Sequence, residues 1–293
     1  MISSFKAIFI AIRFKTLIAS IAPVVLSSVL SFQYGAFNFI IFSFILLSAL
    51  FIQIGTNFAN DVYDYLKGAD TKDRLGPTRA VQAQLISISQ MKILTFIAFL
   101  LAVICGFPLV IKGGVPILVI GLIGIISGYL YTAGPYPLGY NGWGDFFVFC
   151  FFGPIAVCGT YYLYNESISL ASIILGIILG SLSTSLLCIN NIRDVNTDVK
   201  AGKRTLAVRI SPDFVRSLFS ILLLCSYLLN IYLVYLLSLS TIALILFLLL
   251  IFPCLVMIVN VYKLGENDLN SLLGKVSLYI MIYSGLFFIS LII

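Results

Sequence analysis

Long apolar runs fill most of the chain, and short polar segments separate them. A transmembrane helix needs roughly 20 mainly apolar residues. The predicted spans are residues 16–33, 38–60, 92–111, 115–133, 144–164, 168–192, 215–237, 240–261 and 274–292. The pattern therefore predicts an all-α integral membrane protein, a single domain over residues 1–293 with nine transmembrane helices around a central cavity.

The charged residues predict how these spans are oriented. With a cytoplasmic N-terminus, nine spans leave Lys112 alone on the outer side and place the other sixteen lysines and arginines inside. Cytoplasmic loops carry an excess of Lys and Arg, and one miscounted span would exchange the sides of every later loop. We therefore predict a multi-pass protein of the cell (inner) membrane with a cytoplasmic N-terminus.

Composition narrows the possible chemistry. The chain is 61% hydrophobic and only 10% charged, and its net charge of +6 comes from cations that flank apolar spans. No nucleic-acid partner is predicted from such a pattern, and nothing implies a protein partner. There is no histidine, and all six cysteines lie inside apolar runs without a CxxC pair. These absences exclude the usual zinc sites and His-dependent triads, so a metal would have oxygen ligands.

Two dense clusters of charge end the second and sixth predicted spans, at residues 57–79 and 190–204. Both clusters fall on the predicted cytoplasmic side. In each cluster an asparagine precedes an aspartate by four residues, as a parallel repeat around a central cavity would leave. The matching pairs are Asn60 with Asp64 and Asn190 with Asp194.

Within each cluster, helical spacing places acidic residues on one face. Asp61 and Asp64 are three residues apart, and Asp194 and Asp198 are four apart; side chains at these spacings are neighbours on a helix. Carboxylates this close repel one another unless a cation lies between them. Magnesium is usually held by one or two carboxylates plus substrate phosphates. We therefore predict that the clusters face each other and bind Mg²⁺ with a diphosphate.

Cations interleave with these acids. Lys67 lies one turn beyond Asp64, and Arg193 and Lys203 accompany Asp194. Lys and Arg stabilise charge that develops on a leaving phosphate, so Asp64, Asp194, Lys67 and Arg193 are the predicted catalytic group. Ordinary loop charges are the preferred interpretation for Lys72, Asp73, Arg74, Arg209 and Arg216.

A loop rich in glycine, proline and tyrosine, and nearly free of charge, follows the fourth predicted span at residues 129–145. Two interpretations stay open: a cover over an aromatic substrate, or an aromatic belt at the membrane interface. Tyr131 is the predicted substrate contact in this loop. Asp145 begins the fifth span, where its charge suits a helix N-terminus.

The motifs resemble those of the UbiA-type intramembrane aromatic prenyltransferases, most closely the branch that acts on 1,4-dihydroxy-2-naphthoate in menaquinone synthesis. Residues 60–80, NDVYDYLKGADTKDRLGPTRA, resemble the first aspartate motif of that branch. Residues 190–209, NNIRDVNTDVKAGKRTLAVR, resemble the second. YTAGPYPLGYNGWGD at residues 131–145 and GTYY at residues 159–162 also fit this branch.

The resemblance implies Mg²⁺-dependent transfer from polyprenyl diphosphate to an aromatic acceptor, 1,4-dihydroxy-2-naphthoate or an isomer, with loss of its carboxylate to give demethylmenaquinone. It adds Asp70 to the acids, although Gly68 stands where many members have an aspartate, so Asp70 requires the helix to end near Gly68. The predicted site residues are Asp64, Asp194, Lys67 and Arg193 for catalysis, Asn60, Lys203, Arg79, Tyr131 and Asn190 for substrate, and Asp61, Asp64, Asp70, Asp194 and Asp198 for metal.

Two alternatives stay open. One is a UbiA-type enzyme acting on another acceptor, such as 4-hydroxybenzoate, homogentisate or haem. The other is an ion-coupled transporter, since acids on helices near a cavity also serve such carriers. Carriers place these residues near the bilayer midplane, whereas both clusters here lie at one face. A shared opening beside Asp64 and Asp194 would favour the enzyme.

Overall fold

The computed structural model describes residues 4–70, 76–265 and 268–292, and the regular structure of these residues is entirely helical. The helices are α1 (Ser4–Ile12), α2 (Phe14–Phe32), α3 (Phe39–Leu66), α4 (Ile88–Leu130), α5 (Gly144–Phe151), α6 (Pro154–Asn165), α7 (Leu170–Arg193), α8 (Val195–Lys200), α9 (Leu206–Arg209), α10 (Pro212–Leu236), α11 (Thr241–Leu249), α12 (Ile251–Lys263) and α13 (Leu269–Ile292). By length and apolar composition, the described residues contain seven segments able to cross a membrane, or eight if the bent α1–α2 pair counts as one.

Helix α3 carries the first acidic cluster past the end of its predicted span. Its N-cap residue is Asn38, whose side chain accepts hydrogen bonds from the backbone N–H groups of the first turn. It ends where Gly68 adopts φ +72°, a conformation that glycine reaches at little cost. The N–H of Ala69 then donates to the carbonyl of Asp64 at 2.9 Å. The helix end predicted near Gly68 is thus present, and Asp64 lies in the last helical turns.

Helix α4 folds back on itself at Gly114, between the two spans predicted at 92–111 and 115–133. Gly114 has φ 65° and ψ −152°, a region essentially open to glycine alone. Phe99 and Gly128 lie almost equally far from this break, and a Cβ on Gly128 would be 3.8 Å from the Phe99 ring. The two halves of α4 are therefore antiparallel neighbours that pack on α3 together.

Helix α7 is the centre of the bundle and contacts α2, α5, α6, α10 and α13. Its approach to the start of α6 is especially close. A Cβ on Gly176 would lie 2.7 Å from the Cα of Pro154, and one on Gly153 would lie 2.6 Å from the Cα of Gly180. Small residues let helix backbones approach in this way inside membranes. The predicted span 144–164 accordingly breaks at Gly153 into α5 and α6.

The bundle has one polar end, which holds both acidic clusters. Helix α13 starts there, because Arg193 donates to the side chain of Asn270 at 2.8 Å. It finishes at the opposite end, where Gln33 donates to the carbonyl of Leu291 at 3.4 Å. The two ends of α3 are about 42 Å apart at 1.5 Å per residue. The ends of α3 and α7 that carry the aspartates both lie at the polar end, where Asp64 and Asp194 are both electrostatic neighbours of Arg79.

Replacing Gly176 with alanine is expected to lower the melting temperature of the detergent-solubilised protein, because the added methyl group would overlap the backbone of Pro154. Overpacking of this kind costs about 1–3 kcal/mol. Gly285→Ala is the matched control, since an added methyl group there meets nothing within 4 Å. Equal melting temperatures for the two variants, measured by thermal denaturation, would contradict the close contact between α6 and α7.

Candidate active site

A cavity of about 830 Å³ lies among the helices, and both acidic clusters border it. Asn60 and Asp64 reach it from α3, and Asn190, Asp194 and Asp198 reach it from α7 and α8. Two motifs that are far apart along the chain thus meet over one opening.

The cavity is polar at this end and apolar along the rest of its length. It follows α3 from Asp64 back to Ile45, a distance of about 28 Å at 1.5 Å per residue. Side chains from α2, α4, α5 and α6 line it, among them Leu109, Ile117, Phe147, Phe151 and Leu163. The resulting chamber suits a ligand with a charged head and a long apolar tail.

The carboxylate of Asp64 is buried in a network of donors. Arg79 Nη2 donates to one of its oxygens at 3.2 Å, and the hydroxyl of Tyr140 donates to the other at 2.8 Å. Arg79 is 5% exposed, and its Nε lies 3.3 Å from Asp70, an ion pair without hydrogen-bond alignment. Burial opposes the charge of Arg79, but the carboxylates of Asp70, Asp64, Asp61 and Asp194 outweigh it and raise its pKa. The guanidinium therefore stays charged and interacts electrostatically with carboxylates of both clusters.

Tyr140, a residue the sequence did not single out, links the two clusters. Its hydroxyl binds Asp64, while its ring lies 4.8 Å from Lys67 Nζ and 5.5 Å from Lys203 Nζ. Both distances allow a cation–π interaction. Lys203 Nζ in turn lies 3.7 Å from Asp198. Burial and the neighbouring Asp64 raise the pKa of Tyr140, so the phenol keeps the proton that it donates.

The loop that carries Tyr140 is held by the segment after the second motif. Arg204 donates its backbone N–H to the carbonyl of Tyr140 at 2.8 Å, and the Arg209 guanidinium donates to the carbonyl of Asn141 at 2.8 Å. Gly142 adopts φ +78° beside this guanidinium, where a Cβ would lie 2.8 Å from Arg209 Nη1. Arg209, predicted as an ordinary loop charge, thus positions the loop over the site. In the sequence, the signal that this loop has a functional role is its unusual density of glycine and tyrosine.

Lys67 and Asn60 are connected through the end of α4. Lys67 Nζ donates to the carbonyl of Thr132 at 2.8 Å, and the Thr132 hydroxyl donates to Asn60 at 2.9 Å. Burial lowers the pKa of Lys67, and the carboxylate of Asp64 partly offsets that effect. Tyr131, the neighbour of Thr132, borders the cavity as well.

In the second cluster, Arg193 forms a bidentate contact with Asp194. Its Nε donates to Oδ1 of Asp194 at 2.7 Å, and its Nη2 donates to Oδ2 at 2.7 Å. The Arg193 side chain is 2% exposed and that of Asp194 16%, so the pair is largely buried at the cavity wall. Beyond it, Gly202 adopts φ +69° and the N–H of Lys203 donates to the carbonyl of Asp198 at 2.8 Å. This is the same chain-reversing turn that follows Asp64, so the two motifs also end alike in structure.

Asp61 and Asp70 lie away from the positions expected of magnesium ligands. The carboxylate of Asp61 is fully buried and accepts hydrogen bonds from the backbone N–H groups of Ala80 and Val81, at 3.0 and 3.1 Å. Neither Asp61 nor Asp70 borders the cavity. Side chains three residues apart point in directions that differ by about 60° around the helix axis. Asp61 is therefore directed toward the loop and not, like Asp64, toward the cavity. Lys72, Asp73 and Arg74 are outside the described residues.

The oxygen groups that border the cavity suit a magnesium ion bound together with a diphosphate. Asp64, Asp194 and Asp198 supply carboxylates, and Asn60 and Asn190 supply amide oxygens. Within the described ranges, no three histidine, cysteine or acidic side chains form a ready-made metal site. Magnesium commonly takes only one or two protein carboxylates and completes its shell with substrate phosphates and water. The donor set therefore fits this ion.

A helical bundle with paired acidic motifs over an apolar chamber defines the class of intramembrane transferases to which the resemblance pointed. The sequence model of the UbiA prenyltransferase family matches residues 20–288. The chain belongs to the UbiA prenyltransferase family. The predicted family and enzyme class are thereby confirmed, and the transporter alternative is set aside.

Curated relatives carry a more specific name. The 1,4-dihydroxy-2-naphthoate octaprenyltransferase of Escherichia coli (strain K12) is 36% identical over 222 residues, 74% of this chain and 72% of the relative. The protein of the same name from Bacillus subtilis (strain 168) is 33% identical over 196 residues, 67% of this chain and 63% of the relative.

Solved structures share the fold. A UbiA homologue from Archaeoglobus fulgidus bound to GPP and Mg²⁺ has a TM-score of 0.67 at 16% identity. The match covers 96% of this chain and 99% of the homologue. The apo structure of a UbiA homologue from Aeropyrum pernix K1 has a TM-score of 0.72 at 12% identity, with 94% and 97% covered. At these identities the likeness establishes the fold.

Asp61→Asn is expected to destabilise the protein and to leave prenyl transfer per folded molecule largely intact. The amide keeps one acceptor oxygen but turns a donor toward the second backbone N–H, and an unsatisfied buried group costs about 1–3 kcal/mol. Melting temperature and turnover should be measured on the same preparation. Lost turnover at an unchanged melting temperature would instead make Asp61 a metal ligand.

Proposed function

We propose that the protein transfers a polyprenyl group from polyprenyl diphosphate to 1,4-dihydroxy-2-naphthoate, or an isomer, with decarboxylation, giving the quinol form of demethylmenaquinone. The observation that carries this proposal is the shared cavity, with two acidic clusters at its polar end and an apolar wall along the rest. The names of the Escherichia coli and Bacillus subtilis relatives support the choice of acceptor.

The polar end binds the diphosphate. Arg79 and Arg193 border the cavity beside the carboxylates, and their planar guanidinium groups match phosphate oxygens in bidentate fashion. Lys203 also borders the cavity, and Lys67 lies against the same Tyr140 ring. These cations stabilise the negative charge that grows on the leaving diphosphate.

Asp64, Asp194 and Asp198 would hold magnesium, with Asn60 and Asn190 beside them on the same wall. When bound, Mg²⁺ would withdraw charge from the diphosphate oxygens and weaken the allylic carbon–oxygen bond. The Archaeoglobus fulgidus homologue bound to GPP and Mg²⁺ supports this role for the family. Asp61 and Asp70 act behind this layer, because one anchors the loop and the other pairs with Arg79.

In the reaction, a ring carbon of the acceptor attacks the allylic carbon as the bond to the diphosphate breaks. The carbon that accepts the prenyl group then loses its carboxylate as carbon dioxide. The protein orients the two reactants and surrounds the allylic carbon with apolar side chains, which exclude the water that would capture it. Tyr131, at the boundary of the polar and apolar parts, contacts the acceptor.

The proposed topology has nine spans, a cytoplasmic N-terminus and an active site that faces the cytoplasm of the cell (inner) membrane. Nine crossings would result if the bent α1–α2 pair adds one span to the seven apolar segments and the division at Gly114 makes two spans of α4. An odd number agrees with the opposite positions of the start of α1 and the end of α13, since Ala7 and Ala11 pack in one core cluster with Val62 and Ala80 beside the first motif, whereas Leu291 contacts Gln33 at the other end. Lys112 lies beside the Gly114 break, on the outer side.

Asp64→Asn and Asp194→Asn are each expected to lower turnover at least about 100-fold, because each removes a carboxylate from the polar end of the cavity. The assay uses membranes, Mg²⁺, one polyprenyl diphosphate and a panel of hydroxylated aromatic acceptors, with products identified by mass. Asp213→Asn is the matched control, since Asp213 is highly exposed and pairs only with Arg216 among the described residues. Near-normal turnover in both cavity variants would refute the proposed site.

Removing divalent metal with a chelator is expected to stop prenyl transfer, and added Mg²⁺ is expected to restore it. The reason is that the carboxylates at the cavity and the diphosphate are both negatively charged, so the diphosphate can bind beside them only with a cation between them. Equilibrium binding of inorganic pyrophosphate, measured with and without Mg²⁺, should follow the same dependence. Turnover that continues through exhaustive chelation would rule out the metal-dependent mechanism.

A further inference from the structure

A buried carboxylate outside both acidic clusters has no part in the reaction described above. Asp145 lies in the first turn of α5, is 6% exposed and borders the cavity. Asn191 Nδ2 lies 3.4 Å from both of its oxygens, and Cys188 Sγ lies 3.9 Å from one of them. These are long contacts for hydrogen bonds. In the described part of the chain, no lysine or arginine forms an ion pair with Asp145.

Asp145 lies close to the diphosphate end of the cavity. Its partner Asn191 is on α7, three residues before Asp194, which is about 4.5 Å along the helix axis. On the other side, the Tyr131 hydroxyl lies 2.8 Å from the position of a Cβ on Gly144, the residue that precedes Asp145. The carboxylate therefore borders the region where the head of the prenyl donor meets an acceptor.

The wall beside Asp145 is aromatic. Phe147 and Phe151, on the next turns of α5, both border the cavity, and their rings are nearly parallel at 5° with centroids 6.1 Å apart. Flat aromatic faces stack favourably with a planar ring. A carboxylate with unused acceptor capacity next to such faces suits an aromatic ring that bears a hydroxyl group.

We propose that Asp145 is a further catalytic residue, which accepts the proton of the ring hydroxyl adjacent to the carbon that is alkylated; this inference rests on the proposed function. As the ring carbon bonds to the allylic carbon and the diphosphate leaves with the electron pair of the carbon–oxygen bond, the hydroxyl becomes a ketone and its proton passes to Asp145. Loss of carbon dioxide then returns an electron pair to the ring, and the resulting enolate takes the proton back. The carboxylate ends each cycle unchanged.

A purely structural Asp145 would act differently. It would hold Asn191 and interact favourably with the N-terminus of α5. Its removal would then lower the stability of the fold and weaken the binding of every ligand to the same extent. A proton acceptor is needed only while the hydroxyl is protonated. The titratable groups that face Asp145 are Cys188 on α7 and Tyr131 at the end of α4, and both remain in an Asp145 variant.

The test compares wild type, Asp145→Asn and Asp145→Glu in membranes with Mg²⁺, farnesyl diphosphate and 1,4-dihydroxy-2-naphthoate. At pH 7, kcat of Asp145→Asn is expected to fall about 10²–10⁴-fold, the usual contribution of a positioned general base. The deficit should narrow toward pH 10, because a phenolic hydroxyl ionises unaided near that pH. Affinity for a non-hydrolysable farnesyl diphosphate analogue should not change. Asp145→Glu, which retains a carboxylate, should keep the shape of the wild-type pH profile.

Two results would overturn the proposal. One is a kcat of Asp145→Asn within about fivefold of wild type at pH 7, well below the effect of a general base. The other is a deficit that is constant with pH and accompanied by weaker binding of the analogue. If Asp145→Asn does not fold, an Asp145→Glu profile that loses the wild-type shape overturns it as well. If wild type prefers another hydroxylated acceptor, the proposed substrate is wrong. The ratios of kcat between wild type and the Asp145 variants, measured with that acceptor, still decide the role of Asp145.

Discussion

Two buried arginine–aspartate pairs are the interaction on which the rest of this structure depends. Arg79 and Arg193 are almost fully buried in a protein whose surface is largely apolar. Arg79 is neutralised by Asp64 of the cavity wall and by Asp70 behind it, and Arg193 is neutralised by Asp194. An unpaired charge in such a place costs about 3–5 kcal/mol. The pairs therefore oblige the loop after α3 and the end of α7 to take fixed positions, and those positions define the polar end of the cavity.

The second layer of the site is built around this charge balance. Tyr140 satisfies the remaining side of Asp64 with its hydroxyl and holds Lys67 and Lys203 against its ring. One side chain thus fixes the distance between a cation of the first motif and a cation of the second. The loop that carries it is fastened by Arg204 and Arg209, which follow the second motif in the chain. The cover over the site is consequently assembled from both halves of the protein.

The apolar part of the cavity explains why such chemistry belongs inside a membrane protein. A reactive allylic carbon needs surroundings without water, and a polyprenyl tail needs an apolar wall of considerable length. The antiparallel halves of α4 and the helices on either side of the break between α5 and α6 supply that wall. The first interruption falls at Gly114, whose backbone conformation is open to glycine, and the second at Gly153, where helix backbones approach closely. Asp145, Phe147 and Phe151, on α5 before that break, border the chamber.

The sequence alone determined the helical character, the approximate spans and the joint position of the acidic clusters at one end, since these follow from local periodicity, charge and spacing. It also identified Asp64, Asp194 and Asp198, which border the cavity. Tertiary structure alone decided the partners of Asp61 and Asp70, the link made by Tyr140 and the exposure of Asp145 to the chamber. Helical spacing states only which residues share a face, whereas the loop or helix opposite that face, brought there by distant parts of the chain, determines what each side chain binds.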